Sequence, residues 1–232
     1  MGNDFAARRR EMVERQIAAR GVRDPRVLDA MRVVPRESFV PERFADLAYE
    51  DAPLPIALEQ TISQPYIVAV MAEALELTTE DRVLEIGAGS GYAAAVLSRL
   101  AAEVYTVERH PTLADSARRL LTELGYGNVH VLEGDGTLGW PEHAPYDGIV
   151  AAAGGPEVPP SLLAQLAVGG RLVMPIGPTP LEQTLVRLRR TGPGTDDLRR
   201  ETLGAVRFVP LIGAEGWQEE GDGRPGALLS VR

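Results

Sequence analysis

The stretch Val83-Leu84-Glu85-Ile86-Gly87-Ala88-Gly89-Ser90-Gly91 decides the fold. It opens as a short apolar run of strand length, broken only by Glu85, and passes at once into alternating glycines. Glycine at such a junction permits positive φ and lets the backbone approach a ligand closely. Downstream, strand and helix patterns alternate. Strands are expected at Arg82–Ile86, Glu103–Glu108, Val129–Glu133, 146–152 and 171–176, with helices at 90–100, 111–124 and 160–166. Two more strand-like runs, 183–190 and 203–212, flank the turn-rich 191–197 and read as an antiparallel hairpin. Strands alternating with helices argue for a doubly wound, mostly parallel sheet of seven strands with both faces covered. Ligands of such sheets sit beyond the carboxyl ends of the strands.

Upstream the pattern is helical. Met12, Val13, Ile17 and Ala18 recur at helical spacing, and Gly21 marks a stop. Asp24-Pro25 restarts a short helix as N-cap and first helical residue. Residues 35–55 read as loop and short turns, and a helix is expected from Pro65 to Leu77. The division expected is a helical and loop segment at 1–80 packed on an α/β domain at 81–212. A loosely held extension rich in Gly and Glu is expected at 213–232.

Composition narrows the chemistry. The net charge of −9 argues against a protein that grips nucleic acid. There is no cysteine, which excludes thiol catalysis, disulfides and iron–sulfur clusters. All 24 basic residues are arginine, which excludes Schiff-base chemistry and a P-loop lysine. His110, His130 and His143 show no metal-ligand spacing. No run is apolar and long enough to span a membrane, so a cytoplasmic protein is the expectation.

Gly87, Gly89 and Gly91 lack the spacing of dinucleotide sites, and alone they could be a bare strand–helix turn. Two further signals stand at the ends of the next strands. Glu108 could accept from both hydroxyls of a ribose, or be a solvated strand-end charge. Asp135 could accept from an adenine amino group, with the Gly136 backbone close to the ring, or the pair could form an ordinary turn. Glu85 is costly in an apolar strand unless it meets a partner, and a cationic amino group would suit it. An amine, a ribose and an adenine without pyrophosphate favour S-adenosyl-L-methionine over NAD or FAD.

A second motif, Gln60-Thr61-Ile62-Ser63-Gln64-Pro65, places polar residues at the start of an apolar helix. With it, with 83–91, and with Leu54-Pro55-Ile56, Gly134-Asp135-Gly136, Pro156-Glu157-Val158-Pro159 and Val206-Arg207-Phe208-Val209-Pro210-Leu211, the chain resembles the protein-L-isoaspartate O-methyltransferase family. The resemblance runs to about residue 212, and the Thr-Ile-Ser-Gln-Pro segment is its specific part. It implies a class I, Rossmann-like methyltransferase fold with an N-terminal helical extension, and an exchanged order of the last two strands. It implies methyl transfer from S-adenosyl-L-methionine to a carboxylate of L-isoaspartyl residues in damaged proteins, with S-adenosyl-L-homocysteine as product. Ser63 matches the active-site serine. Ile62, Ser63, Glu85, Gly87, Gly89, Gly91, Glu108, Asp135 and Gly136 fall on the cofactor side; Pro55, Ile56, Gln64, Ala152, Val206 and Arg207 fall on the substrate side. A monomer with no metal, nucleic acid or membrane partner is expected.

The chemistry agrees with the resemblance. A carboxylate is already ionised at neutral pH, so no general base is needed. The tasks are to strip water from the nucleophile, align it and hold it. Ser63 could donate one hydrogen bond to it, or could simply cap the helix that Pro65 opens. Arg207 could order the substrate, or be solvated. Two places depart from the family's usual pattern. Leu58-Glu59 stands where small, glycine-containing sequence is usual, and Ala152-Ala153-Gly154-Gly155 lacks a usual hydroxyl. Repair of isoaspartate, esterification of one dedicated peptide, and cofactor binding without turnover are the three functions open at this point.

Overall fold

A computed structural model describes residues 4–194 and 197–218. Seven strands form one sheet: β3 (Arg82–Ile86), β4 (Glu103–Glu108), β5 (Val129–Glu133), β6 (Tyr146–Ala151), β7 (Leu166–Thr179), β8 (Glu182–Arg190) and β9 (Leu198–Val206). Their order is β5-β4-β3-β6-β7-β8-β9. The pairs from β5 to β7 are parallel, and β8 and β9 pair antiparallel. The last strand therefore lies at the edge outside β8, the exchanged order that the resemblance implies. A separate two-stranded hairpin, β1 (Leu54–Pro55) and β2 (Thr61–Ile62), precedes the sheet.

Helices cover both faces. On one lie α1 (Phe5–Met12), α2 (Pro25–Val33), α3 (Pro65–Ala74), α4 (Tyr92–Leu97) and α5 (Pro111–Glu123); on the other lies α6 (Pro160–Gln165). The two-residue period of strands assigns the faces. Val83 and Val104 pack with the N-terminal helices, whereas Leu84, Ile86, Tyr105 and Val107 pack toward α6. Glu85 shares the parity of Val83 and so points into the α3–α4 layer. Gly21 closes the first helical segment at φ 109°, and Asp24 caps α2 through the Arg26 N–H at 2.8 Å. Among the described residues no helix is long and apolar enough to cross a membrane.

The boundaries that differ have local causes. Helix α4 ends at Leu97 because the Ser98 hydroxyl donates to the Ala95 carbonyl, 2.8 Å, and competes with the next helical bond. Strand β7 begins at Leu166, since pairing with β6 resumes across Gly169-Gly170 after a register shift. Strand β9 ends at Val206, not 212. Beyond it the chain leaves β8 and bonds the loop after β6, with Gly154 N–H on the Val209 carbonyl and Leu211 N–H on the Gly154 carbonyl, both 2.8 Å.

Candidate cofactor and acceptor site

The sheet changes winding direction between β3 and β6, so the loops after these two strands border a crevice. Gly87, Gly89 and Gly91 all take positive φ, at 91°, 54° and 90°. A side chain on Gly91 would press on Leu121 of α5 at 3.2 Å. Glu108 turns back onto the loop, accepting from the Gly89 N–H at 2.9 Å and the His110 N–H at 3.0 Å. These two bonds aim its carboxylate toward the glycines rather than into solvent. At Gly136 it is packing, not φ, that requires glycine: a Cβ there would lie 2.5 Å from Ile86 Cγ2. The ends of β3, β4 and β5 thus meet at one rim, as expected.

Glu85 is buried and faces Thr106 across the β3–β4 pair, accepting from its hydroxyl at 2.6 Å. Its other oxygen, Oε1, is buried without a partner among the described residues, and so is the Ser90 hydroxyl in the glycine loop. Burial pushes the Glu85 carboxyl up to about 8; the charge of Glu108 adds to the shift and the Thr106 bond opposes it. An orphaned acid and an orphaned hydroxyl beside positive-φ glycines fit a ligand that carries a cation and hydrogen-bonding groups.

Ser63 joins this centre from the other side. It lines a cavity of about 30 Å³ with Glu85, Ala152, Phe208 and helix residues of α3 and α4. Its hydroxyl makes no hydrogen bond among the described residues, and the N-cap of α3 is Gln64, without a side-chain cap bond. The capping reading of Ser63 is therefore set aside, and the hydroxyl is left available. Ala152 lies against the glycine loop: a Cβ on Gly87 would stand 3.6 Å from its own, and its N–H donates to the Ile86 carbonyl at 2.8 Å. Ile56 packs over the loop from the hairpin, 3.5 Å from where a Gly89 Cβ would be. Arg207, next to Phe208, is exposed and has no ion pair or hydrogen bond among the described residues.

Other expected site residues are placed differently. Gln64 is tied to Asp51, donating to its carbonyl at 2.9 Å and its carboxylate at 2.7 Å, so it fixes the start of α3. The Ile62 side chain is buried in the core, which leaves only its backbone to the site. Pro55 pairs with Thr61 and is exposed, and Val206 pairs with Gln183 at the end of β9. Asp135 spends both oxygens inside the chain. It accepts from the Thr137 N–H and hydroxyl at 2.9 and 2.7 Å and from the Ala214 N–H at 2.7 Å. These bonds, with the charge of Arg109, hold its carboxyl below the usual range despite partial burial.

That last contact corrects the expected loose extension. Residues 213–218 are anchored: Glu215 accepts from Ser161 at 2.8 and 2.9 Å, and the Trp217 indole donates to the Gly154 carbonyl at 3.0 Å. The rest of the expected extension, 219–232, lies outside the described residues. With Arg109, Gly134 and Asp135, residues Ile212, Gly213, Trp217 and Gln218 line an open cavity of about 360 Å³. Sequence reading missed this wall, although Gly213 and Gly216 signalled close approach: a Cβ on Gly213 would fall 2.1 Å from Asp135 Oδ1.

The geometry has counterparts among known proteins. A protein-L-isoaspartate O-methyltransferase of Rhodopseudomonas palustris is 69% identical over 208 residues, covering 90% of this chain and 94% of its own. One from Pelobacter propionicus is 64% identical over 210 residues, covering 90% and 92%. A solved protein-L-isoaspartate O-methyltransferase superposes with a TM-score of 0.78 at 33% identity, over 89% of this chain and 67% of that one. A Plasmodium falciparum protein assigned to the same activity, solved with S-adenosyl-L-homocysteine, has a TM-score of 0.74 over 88% of this chain and 98% of that one; at 22% identity it bears on the fold alone. The family model for protein-L-isoaspartate(D-aspartate) O-methyltransferase matches residues 7–216, and with these relatives it shows that the chain belongs to that family.

Proposed function

We propose that the chain methylates the free carboxylate of L-isoaspartyl residues in damaged proteins and peptides, with S-adenosyl-L-methionine as donor. The observation that carries this reading is the convergence of Ser63, Glu85 and Ala152 on one cavity where the sheet changes direction. When bound, the donor supplies a methyl group on a cationic sulfur; transfer to a carboxylate oxygen leaves the thioether product and a neutral ester. The glycine loop and Glu108 would hold the sugar and chain, the 134–136 turn with 212–218 would border the adenine, and Glu85 would meet the amino group. Ser63 donates a hydrogen bond that orients the acceptor carboxylate without neutralising it. Exposed Arg207, next in sequence to the cavity-lining Phe208, supplies a cation without an ion pair among the described residues. No residue needs to remove a proton, which agrees with the absence of a histidine or lysine base from the cavity.

In this reading 1–80 supplies the acceptor wall, 81–212 the donor half, and 213–218 a clasp on it. The net charge of −9 argues against nucleic acid as partner. Exposed large apolar side chains, such as Val33, Leu124, Val168 and Leu181, come from separate elements, which supports a monomer. A donor made inside the cell places the reaction in the cytoplasm. The test is transfer of labelled methyl to matched peptides that differ only in an isoaspartyl or aspartyl linkage. Label on isoaspartyl peptides of unrelated sequence is expected, with none on the aspartyl partners. Equal labelling of both, or label on one sequence alone, sinks the repair reading.

A further inference from the structure

The turn of the β1–β2 hairpin carries a strain that its own packing does not repay. Ile56 N–H donates to the Gln60 carbonyl at 2.9 Å and Gln60 N–H to the Ala57 carbonyl at 3.1 Å, which leaves Leu58 and Glu59 as the central pair. Both take positive φ, 56° and 57°. Such turns favour Asn and Gly, because a Cβ crowds the backbone there. Leu58 is nevertheless 48% exposed and belongs to neither apolar core. Glu59 is exposed and has no ion pair or hydrogen bond among the described residues. The arm beneath them is firm, with Leu54 and Ile62 buried and Gln60 Nε2 on the Leu58 carbonyl at 3.1 Å. The hairpin thus holds one apolar side chain and one carboxylate in solvent, five and four residues before Ser63 in sequence. Strained residues held without internal reward commonly serve a contact outside the chain.

We propose that Leu58 and Glu59 touch substrate residues flanking the isoaspartyl group and set a preference for cationic or apolar neighbours over anionic ones. The proposal rests on the methyl-transfer reading above. Glu59 stands four residues before Ser63, so their Cα atoms are at most about 13 Å apart, the span of some four residues of extended chain. Arg207 is exposed, adjoins the cavity-lining Phe208 in sequence, lies far from this arm in sequence and is of opposite sign. The acceptor carboxylate is drawn toward Arg207 and Ser63, while a positive flanking side chain is drawn toward Glu59. Leu58 offers its exposed surface to an apolar neighbour.

The test uses the full chain, S-adenosyl-L-methionine, and isoaspartyl peptides of one sequence carrying Lys, Gln or Glu at each of four positions on either side. At the contacted position kcat/KM should fall from Lys to Gln to Glu by about twofold to fivefold per step, the range of one exposed charge pair. The effect should lie in KM, and about 1 M salt should flatten it. Glu59→Gln should erase the ranking, so that the Lys, Gln and Glu peptides share one kcat/KM. A wild-type enzyme indifferent to flanking charge at every position, while it turns over the Gln peptides, overturns the proposal. So does a ranking that survives in Glu59→Gln. No transfer to any isoaspartyl peptide overturns the methyl-transfer reading, and this proposal with it.

Discussion

Replacing Glu85 by Gln tests the electrostatic core of the site, because an NH₂ takes the place of one carboxyl oxygen, which removes the titration and changes the shape little. The Glu85 carboxyl is raised from the usual 4.5 to about 8, with burial as the main cause. A raised folded pKa means that the folded chain holds this proton more tightly than the unfolded one. The stability it confers is complete below about pH 4.5 and is lost as pH rises toward 8. Between about pH 5.5 and about pH 7.5, linkage from these two values predicts a loss of about 2–3 kcal/mol from this residue. Gln does not titrate. It carries instead a constant cost of about 1–3 kcal/mol for an amide N–H₂ placed where Oε1 now lacks a partner. Urea unfolding without cofactor, across that pH window, should show a steeper decline for the wild type than for Glu85→Gln. The wild type should be favoured at acid pH, and the variant should draw level or pass it at alkaline pH. A cationic amino group beside Glu85 favours its ionised form, so donor affinity of the wild type should rise with pH over the same window and that of the variant should not. Parallel pH dependences of stability in the two proteins would refute the assignment of Glu85 as a buried acid kept protonated until a cation arrives.

Ser63→Ala removes one hydrogen bond to an anionic nucleophile and none within the described chain; kcat should fall about 10- to 100-fold while the melting temperature stays put, checked by methyl transfer and thermal unfolding. Gly136→Ala drives a methyl group against Ile86 Cγ2, 2.5 Å away. It should cost about 1–3 kcal/mol and lower the melting temperature by a few degrees, and an unchanged transition would show that the 134–136 turn yields easily. Asp135→Asn keeps an acceptor for Thr137 but loses the charged one held by the Ala214 N–H. Hydrogen exchange at Ala214 should accelerate about tenfold or more, and unaltered exchange would mean that the 213–217 segment is held by Trp217 and Glu215 alone.

The strands β3, β4 and β5 were legible almost to the residue because each is a short apolar run stopped by a charge or glycine. Signals of backbone need were legible for the same reason: Gly87, Gly89 and Gly91 do take the positive φ that their spacing suggested. What was not legible lacked a local signal. Strand β9 carries Arg199, Arg200 and Glu201 on an exposed edge, so no apolar alternation marks its start. The β1–β2 hairpin hid because its turn holds Leu and Glu where the usual turn residues would have announced it. Asp135 was read as an acceptor for an adenine amino group or as part of an ordinary turn; it lines the open cavity, and the chain itself also supplies it with donors. One of those donors, the Ala214 N–H, lies 79 residues away in sequence, beyond the reach of any periodicity argument.

This split has a physical origin. The donor half is made by backbone at the ends of consecutive parallel strands, so its requirements are written as glycines and acids at fixed offsets. The 54–63 hairpin, which brings in Ser63, and the 206–211 stretch, which brings Phe208 to the same cavity, lie where β–α alternation sees only flanks of the domain. They meet because Gly154, just beyond β6, bonds Val209 and Leu211 and accepts from the Trp217 indole. A Cβ on Gly154 would strike the Gln183 amide at 2.6 Å, and that amide in turn donates to the Phe208 carbonyl at 3.0 Å and accepts from the Phe208 N–H at 2.8 Å. One glycine without positive φ therefore lets the C-terminal stretch close on the crevice and sets Phe208 beside Ser63. Ala152, whose side chain offers no hydroxyl to the cavity it lines, leaves this joint intact, because the contacts that form the joint are made by the Gly154 backbone.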